Sequence, residues 1–417
     1  MRMQVRLLVS PAADLPLLNA RTLLATPFVW IIGAIVALGP LSLDLYLPSL
    51  PALQAHFGAD TGSVQRTVSS YFLGLALGQV VYGSLADRYG RKLPLVAGLV
   101  IYAAVSFACA AAPGIDWLIG LRFLQALGAC AGIVITRAIV RDRYAPQQMA
   151  QVLSVLMLIM GVAPILAPML GGYIFLHLGW EANFLLLGGY GTVCALLVCF
   201  TLPETLAQRS AARTTVQTLR DYARILGHRR FLGYALAGGT AQAGMYCYIA
   251  LSSFVFIEVY GVDAQQFSWI FGANAFGLIA ASQLNHRLLA TIRAERVLRG
   301  ALRGFTIAGF VTVLAVVTGF GGLAGVLVPL FVCIATLGLT FPNSTAAAMA
   351  PFGDRAGMAS AVLGTLQFSI AGLASGLATM LHDGTALPMA GMVAACGAVS
   401  LMLLRGLVRE PAVTQPA

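Results

Sequence analysis

Charge is scarce in this chain. Only 10% of the residues are Asp, Glu, Lys or Arg, against about 25% in a soluble globular domain. Acids are the rarer sign, 15 against 25 basic residues. That shortage excludes a water-soluble fold for most of the length. Histidine occupies five positions, His56, His177, His228, His286 and His382, all at or near the ends of apolar segments. No His/Cys/Asp cluster offers a metal site or a hydrolytic centre, so no metal and no cofactor is expected. The seven cysteines (Cys109, Cys130, Cys194, Cys199, Cys247, Cys333, Cys396) all fall inside apolar segments and lack paired spacing. They read as small core residues, without disulfides or zinc. Nor is there a loop long enough to house a catalytic or sensory domain, which argues against an enzyme.

What is abundant is apolar sequence, 59% of the chain, together with 45 glycines. Glycine suits helices that pack backbone to backbone in lipid. Apolar segments run over roughly 28–53, 66–86, 93–112, 117–140, 148–176 and 182–202, then 231–257, 265–289, 300–320, 323–349, 357–381 and 386–407. Each is near the ~20 residues that span a bilayer. The expected fold is an all-α integral membrane protein with about twelve transmembrane helices. Its expected parts are a cytoplasmic N-terminal tail 1–27, a six-helix bundle 28–202, a cytoplasmic linker 203–230, a second six-helix bundle 231–407 and a cytoplasmic tail 408–417. The run Leu7-Leu8-Val9 is too short for a signal-peptide core.

The net charge of +10 is not one basic patch. With the N-terminus inside, the inner loops hold Arg88, Arg91, Lys92, Arg141, Arg143, the clusters 209–230 and 287–303, and Arg355. Only Arg66 and Arg122 lie toward the other side. This is a topology signal, not a nucleic-acid surface. In the linker, Arg209, Arg213, Arg220, Arg224, Arg229 and Arg230 either lie along the anionic leaflet or belong to a solvated tether.

One acid stands where hydrocarbon is expected. Asp44 lies deep in the first segment, in Leu41-Ser42-Leu43-Asp44-Leu45-Tyr46-Leu47-Pro48. A charge at the bilayer centre costs somewhere between ~2.5 and 17 kcal/mol, so such groups face a polar interior or a partner. Loss of water favours the neutral carboxyl. Pro48 leaves the Asp44 carbonyl without its helical donor, as Pro40 does for Val36, so a bent helix is expected. The alternative is an Asp paired for folding alone.

Arg122 is its counterpart at comparable depth, a cation that does not deprotonate. Motion that changes their separation would load or unload a proton from Asp44. Arg122-x-x-Gln125-x-x-Gly128 puts Arg and Gln on one face. The plainer alternative is that Arg122 snorkels to the interface.

Gly83-Ser84-Leu85-Ala86-Asp87-Arg88-Tyr89-Gly90-Arg91-Lys92 resembles the signature loop of the major facilitator superfamily. Arg122-Phe123-Leu124-Gln125 resembles its fourth-helix signature. Gly161-Val162-Ala163-Pro164-Ile165-Leu166-Ala167-Pro168-Met169-Leu170-Gly171-Gly172 resembles the fifth-helix pattern of antiporters, with Ala167 where Gly is usual. Together with Leu202-Pro203-Glu204-Thr205, Leu43 to Pro48 and Phe254-Val255-Phe256-Ile257-Glu258, the chain resembles the bicyclomycin/chloramphenicol-resistance (Bcr/CflA) branch of drug:proton antiporters over essentially its whole length.

The resemblance implies a major-facilitator fold of two pseudo-symmetric six-helix bundles around a central cavity, with rocker-switch alternating access. It implies export of amphipathic drugs against proton entry, with Asp44 and Arg122 as the proton-coupling pair. Val36 is apolar where wider relatives carry a second acid, so coupling rests on one carboxyl. By resemblance Asp87 in the outward-open state approaches the amino end of helix eleven, about Arg355 to Ser360, whose free amides attract a carboxylate. In this conformational latch Gly83 keeps the helices close and Gly90 allows the turn. Arg88, Arg91 and Lys92 balance Asp87 or touch lipid phosphates; plain positive-inside charge is the alternative for Arg91 and Lys92. The matching loop from Gln283 to Arg299 lacks the Gly and Asp, so the latch is one-sided. Pro164 and Pro168, with Gly161, Gly171 and Gly172, give a kinked helix with a flat face that either seals the cavity or merely bends.

Expected substrate contacts are Asp44, Tyr46, Tyr71, Gln79, Arg122 and Gln125 in the first half. In the second they are Gln242, Met245, Tyr246, Tyr248, Asn274 and Asn343. The expected function is proton-coupled drug efflux across the bacterial inner membrane by a monomer whose partners are a small amphipathic drug, protons and lipids. The alternative is a proton-coupled importer or facilitator of a small metabolite.

Overall fold

The computed structural model describes residues 26–144, 146–206 and 215–408. The N-terminal tail, Arg209, Arg213 and most of the C-terminal tail lie outside them. Among the described residues twelve helices are long and apolar enough to cross a membrane. The first half holds α1 (Pro27–Asp44), α2 (Thr61–Tyr89), α3 (Lys92–Ala110), α4 (Ile115–Arg143), α5 (Pro146–Leu178) and α6 (Glu181–Thr201). The second holds α7 (Arg229–Ser253), α8 (Ala264–Leu288), α9 (Ala294–Thr318), α10 (Gly322–Met349), α11 (Ala356–Met380) and α12 (Leu387–Leu407). With an even number of crossings, Pro27 and Leu407 lie at one face, here the terminal face; the opposite one is the far face.

α1 does not simply bend at Pro48. It stops at Asp44, passes through a 3-10 turn at Leu47–Ser49 and resumes as a short helix, Leu50–Phe57. Pro48 has no N–H for the Asp44 carbonyl, which ends the ladder there. α7 continues as a π-helical turn, Phe254–Val259. Its Phe254 ring meets His382 at 4.2 Å at the far face.

The halves meet along two helix pairs. α2 packs on α11 along much of its length: Ser375 donates to Ser69 at 3.1 Å, Gly364 lies against Gln79, and Gly83 against Ala361. α5 packs on α8: Gly161 lies against Ile279, and Ser268 donates to the Pro168 carbonyl at 3.0 Å beside Gly172.

The linker is not a bare tether. Thr215–Leu226 is a helix that docks on α11. Its Ile225 is buried and its Tyr222 hydroxyl lies beside Ser84 at the end of α2. Arg220 and Arg224 stay exposed. Tyr222 and Ile225, three apart, turn one side of this helix to the bundle while Arg220 and Arg224 stay outside.

Candidate functional site: a central cavity with one carboxyl

A cavity of about 230 Å³ lies between the halves, near mid-depth. α1 supplies Gly39, Pro40, Leu43 and Asp44, and α5 supplies Met160, Gly161 and Pro164. Across it stand Met245, Tyr246 and Tyr248 of α7, Phe271 and Asn274 of α8, Ile334 of α10 and Phe368 of α11. The wall is mostly aromatic and aliphatic, with a few polar groups, the composition of a site for an amphipathic ligand. Asn274 donates to the Tyr248 hydroxyl at 2.9 Å, and Gln242 donates to that of Tyr246 at 3.3 Å. These bonds fix both phenols toward the cavity.

Asp44 is the carboxyl on this wall. It is 4% exposed, and among the described residues none hydrogen-bonds its side chain or pairs with it. A buried, unpaired carboxylate is costly.

Arg122 is placed differently from the expectation. It does not snorkel: its side chain is fully buried, over the rings of Tyr46 and Tyr71 at 4.3 and 4.4 Å. It also does not pair with Asp44. Its guanidinium donates to the Ser42 carbonyl at 2.9 Å and to Gln125. Gln125 donates to Ser106 at 2.7 Å, and the Ser42 and Tyr102 hydroxyls pair at 2.7 Å. The reason is helical rotation. Residues two apart point about 200° apart at 3.6 residues per turn, so Ser42 faces α3 and α4 while Asp44 faces the cavity. Arg122 reaches Asp44 only through two residues of α1 backbone.

Several expected ligand contacts also lie off the wall. Tyr46 pairs with Thr67 at 3.0 Å, Tyr71 and Gln125 surround Arg122, and Gln79 packs on Gly364. Asn343 donates to Asn285 at 2.7 Å and to the Leu339 carbonyl at 2.8 Å. Of the expected contacts, Asp44, Met245, Tyr246, Tyr248 and Asn274 line the cavity. Met160, Phe271, Ile334 and Phe368 gave no sequence signal, because an apolar residue reads alike toward lipid or cavity.

At the terminal face the signature loop is an ion-pair relay. Arg91, 4% exposed in its side chain, bonds Asp87 at 2.6 Å and Asp142 of α4 at 2.8 Å. It is therefore neither surface topology charge nor a lipid contact. Asp87 is 60% exposed and held by Arg91; the approach to helix eleven that the resemblance implies belongs to the outward-open state. α11 meets this corner through Gly357, beside the Arg141 guanidinium. Gly90 turns the chain at φ 92°, with the Glu204 carboxylate where a Cβ would stand. Glu204 accepts from the Arg91 and Lys92 amides at 2.9 and 3.1 Å. Lys92 reaches the Cys199 carbonyl at 2.8 Å, and Arg88 lies over Tyr89. Burial pushes the Glu204 carboxyl up, but the amides of Arg91, Leu206, Lys92 and Thr205 outweigh it, and the group sits below its ordinary range.

A twelve-span bundle with a mid-membrane cavity between two sets of helices defines a membrane transporter, not an enzyme. The Major Facilitator Superfamily model matches residues 29–376, and the chain belongs to that superfamily. It is 34% identical over 384 residues to the MFS-type transporter YdgK of Bacillus subtilis, covering 91% of this chain and 95% of that one. It is 28% identical over 380 residues to a bicyclomycin resistance protein homolog of Haemophilus influenzae, covering 90% and 94%. It is 30% identical over 390 residues to the multidrug resistance protein MdtL of Klebsiella pneumoniae, covering 94% and 97%. Among solved structures, a D-xylose–proton symporter superposes with a TM-score of 0.71 at 13% identity, covering 92% of this chain and 98% of that one, a likeness of fold.

Proposed function

We propose that this transporter exports amphipathic drugs of the bicyclomycin and chloramphenicol kind in exchange for protons. It works as a monomer in the bacterial inner membrane, with the terminal face cytoplasmic. The observation that carries the reading is the carboxyl of Asp44, unpaired among the described residues, on the wall of a mostly apolar cavity. The names of the relatives in Haemophilus influenzae and Klebsiella pneumoniae support the substrate class.

In the proposed cycle Asp44 takes a proton from the far side, where the α1 break lies. The neutral carboxyl tolerates a dry cavity, so the halves rock and the cavity opens to the terminal side. Water entry stabilises the charge and the proton leaves. An amphipathic substrate then fills the cavity, and the next protonation releases it at the far side. The α2–α11 contact and Arg141 against Gly357 hold the terminal side together in the alternate state, while the relay Asp87–Arg91–Asp142 braces α2 against α4 within the first half.

Direction of transport separates export from uptake. Cells expressing the chain are expected to accumulate less chloramphenicol than control cells, with the difference abolished by a protonophore. Raised accumulation would identify an importer instead.

A further inference from the structure

Beyond Leu124, α4 is enclosed by protein. From Gln125 to Val140 every residue is buried or half-buried except Arg137, which is exposed. Its position on the helix says what it is exposed to. Cys130, Ile133, Arg137 and Arg141 share one stripe, at spacings of three and four. Cys130 touches α2 at Gly78, Ile133 lines the cavity, and Arg141 meets Gly357 of α11. That stripe faces the space between the halves. The exposed Trp117 and Leu124 lie on the opposite side of the helix. Arg137 therefore opens into the approach from the terminal face, about 6 Å along α4 from Ile133 by the rise of the helix.

Arg137 has no hydrogen-bond or ion-pair partner among the described residues. The acids of this half near the terminal face are already engaged. Asp87 and Asp142 bind Arg91, and Glu204 binds backbone amides. A fixed cation with all its donors free, on the path to an apolar cavity, is an anchor for an anion.

We propose that Arg137 is a ligand-binding residue that takes the carboxylate of an amphipathic ligand whose apolar body lies in the cavity. This rests on the export reading and narrows its substrate class. Acidic or neutral amphipaths are admitted from the terminal side, and permanent cations are repelled.

The test uses the full-length protein in lipid nanodiscs, with 1-naphthylacetic acid and its neutral amide as probes of equal shape. Affinities are measured by calorimetry for wild type, Arg137→Gln and Arg137→Lys. Wild type is expected to bind the acid more tightly than the amide. Arg137→Gln is expected to weaken the acid about tenfold, the worth of a charge-assisted hydrogen bond, and to leave the amide unchanged. Arg137→Lys is expected to retain most of the acid affinity. Equal loss for acid and amide, or no loss for the acid, overturns the assignment while leaving drug export standing. Failure of wild type to bind the acid also overturns the assignment, while the export reading stands or falls separately on chloramphenicol accumulation in cells.

Discussion

Gly171 of α5 stands against the backbone carbonyl of Leu45, the residue that follows Asp44. The break in α1 and a glycine of the α5 pattern are thus one contact. A Cβ at 171 would overlap that carbonyl oxygen, which is backbone and cannot rotate away. The carboxyl's position is set by this contact from α5 as much as by Pro48.

Gly171→Ala is therefore expected to push α1 and α5 apart and to lower stability by about 1–3 kcal/mol, the usual cost of overpacking. It should also reduce transport, because Asp44 moves with Leu45. Thermal unfolding of the purified variant and drug efflux in cells check both. Gly120, with open space beside it, is the control, and its Ala variant should behave as wild type.

Arg122 is held by geometry that lysine cannot copy. One guanidinium spans the Ser42 carbonyl, Gln125 and two tyrosine rings. Arg122→Lys keeps the charge and loses the planar fork, at a cost of about 2 kcal/mol for a desolvated cation–π site. A thermal shift in detergent reads this directly. An unchanged melting temperature would mean that charge alone suffices.

Glu204 gives a pH prediction at the terminal face. Its carboxyl sits below its ordinary range in the folded protein. The stability it adds is present above the unfolded value, about 4.3, and is lost as pH falls through the lower folded value. Glu204→Gln is expected to melt at a lower temperature than wild type at pH 7, with the gap closing below about pH 4. Thermal melts across that range check it.

Much of this architecture was legible in the residues. Twelve apolar runs announce the spans, and Asp44 is conspicuous because a charge in hydrocarbon is costly. Rotation was not legible. Whether Arg122 meets Asp44 or Ser42 depends on which face α1 turns inward, and an almost uniformly apolar helix carries no such signal. Arg137 was hidden for another reason: near a helix end it counts as topology charge, and only burial of the residues around it shows that it faces inward. The linker helix at Thr215–Leu226 was obscured by arginines that read equally as tether or amphipathic face.

The relay at Arg91 offers one more check. Asp142→Asn removes one of its two carboxylates and is expected to loosen the terminal face. Cysteine labelling at position 357, in a background without native cysteines, should speed up several-fold relative to the same reporter with Asp142 intact. Equal labelling rates would show that Asp87 alone holds the corner.

The most direct measurement is proton flux in proteoliposomes containing wild type or Asp44→Asn. With drug on one side and a pH-sensitive dye on the other, wild type is expected to acidify or alkalinise the lumen only when drug is present. Asp44→Asn should show no drug-dependent proton movement while still binding the drug. Drug-dependent proton flux in Asp44→Asn at the wild-type rate would contradict the central role given to this carboxyl.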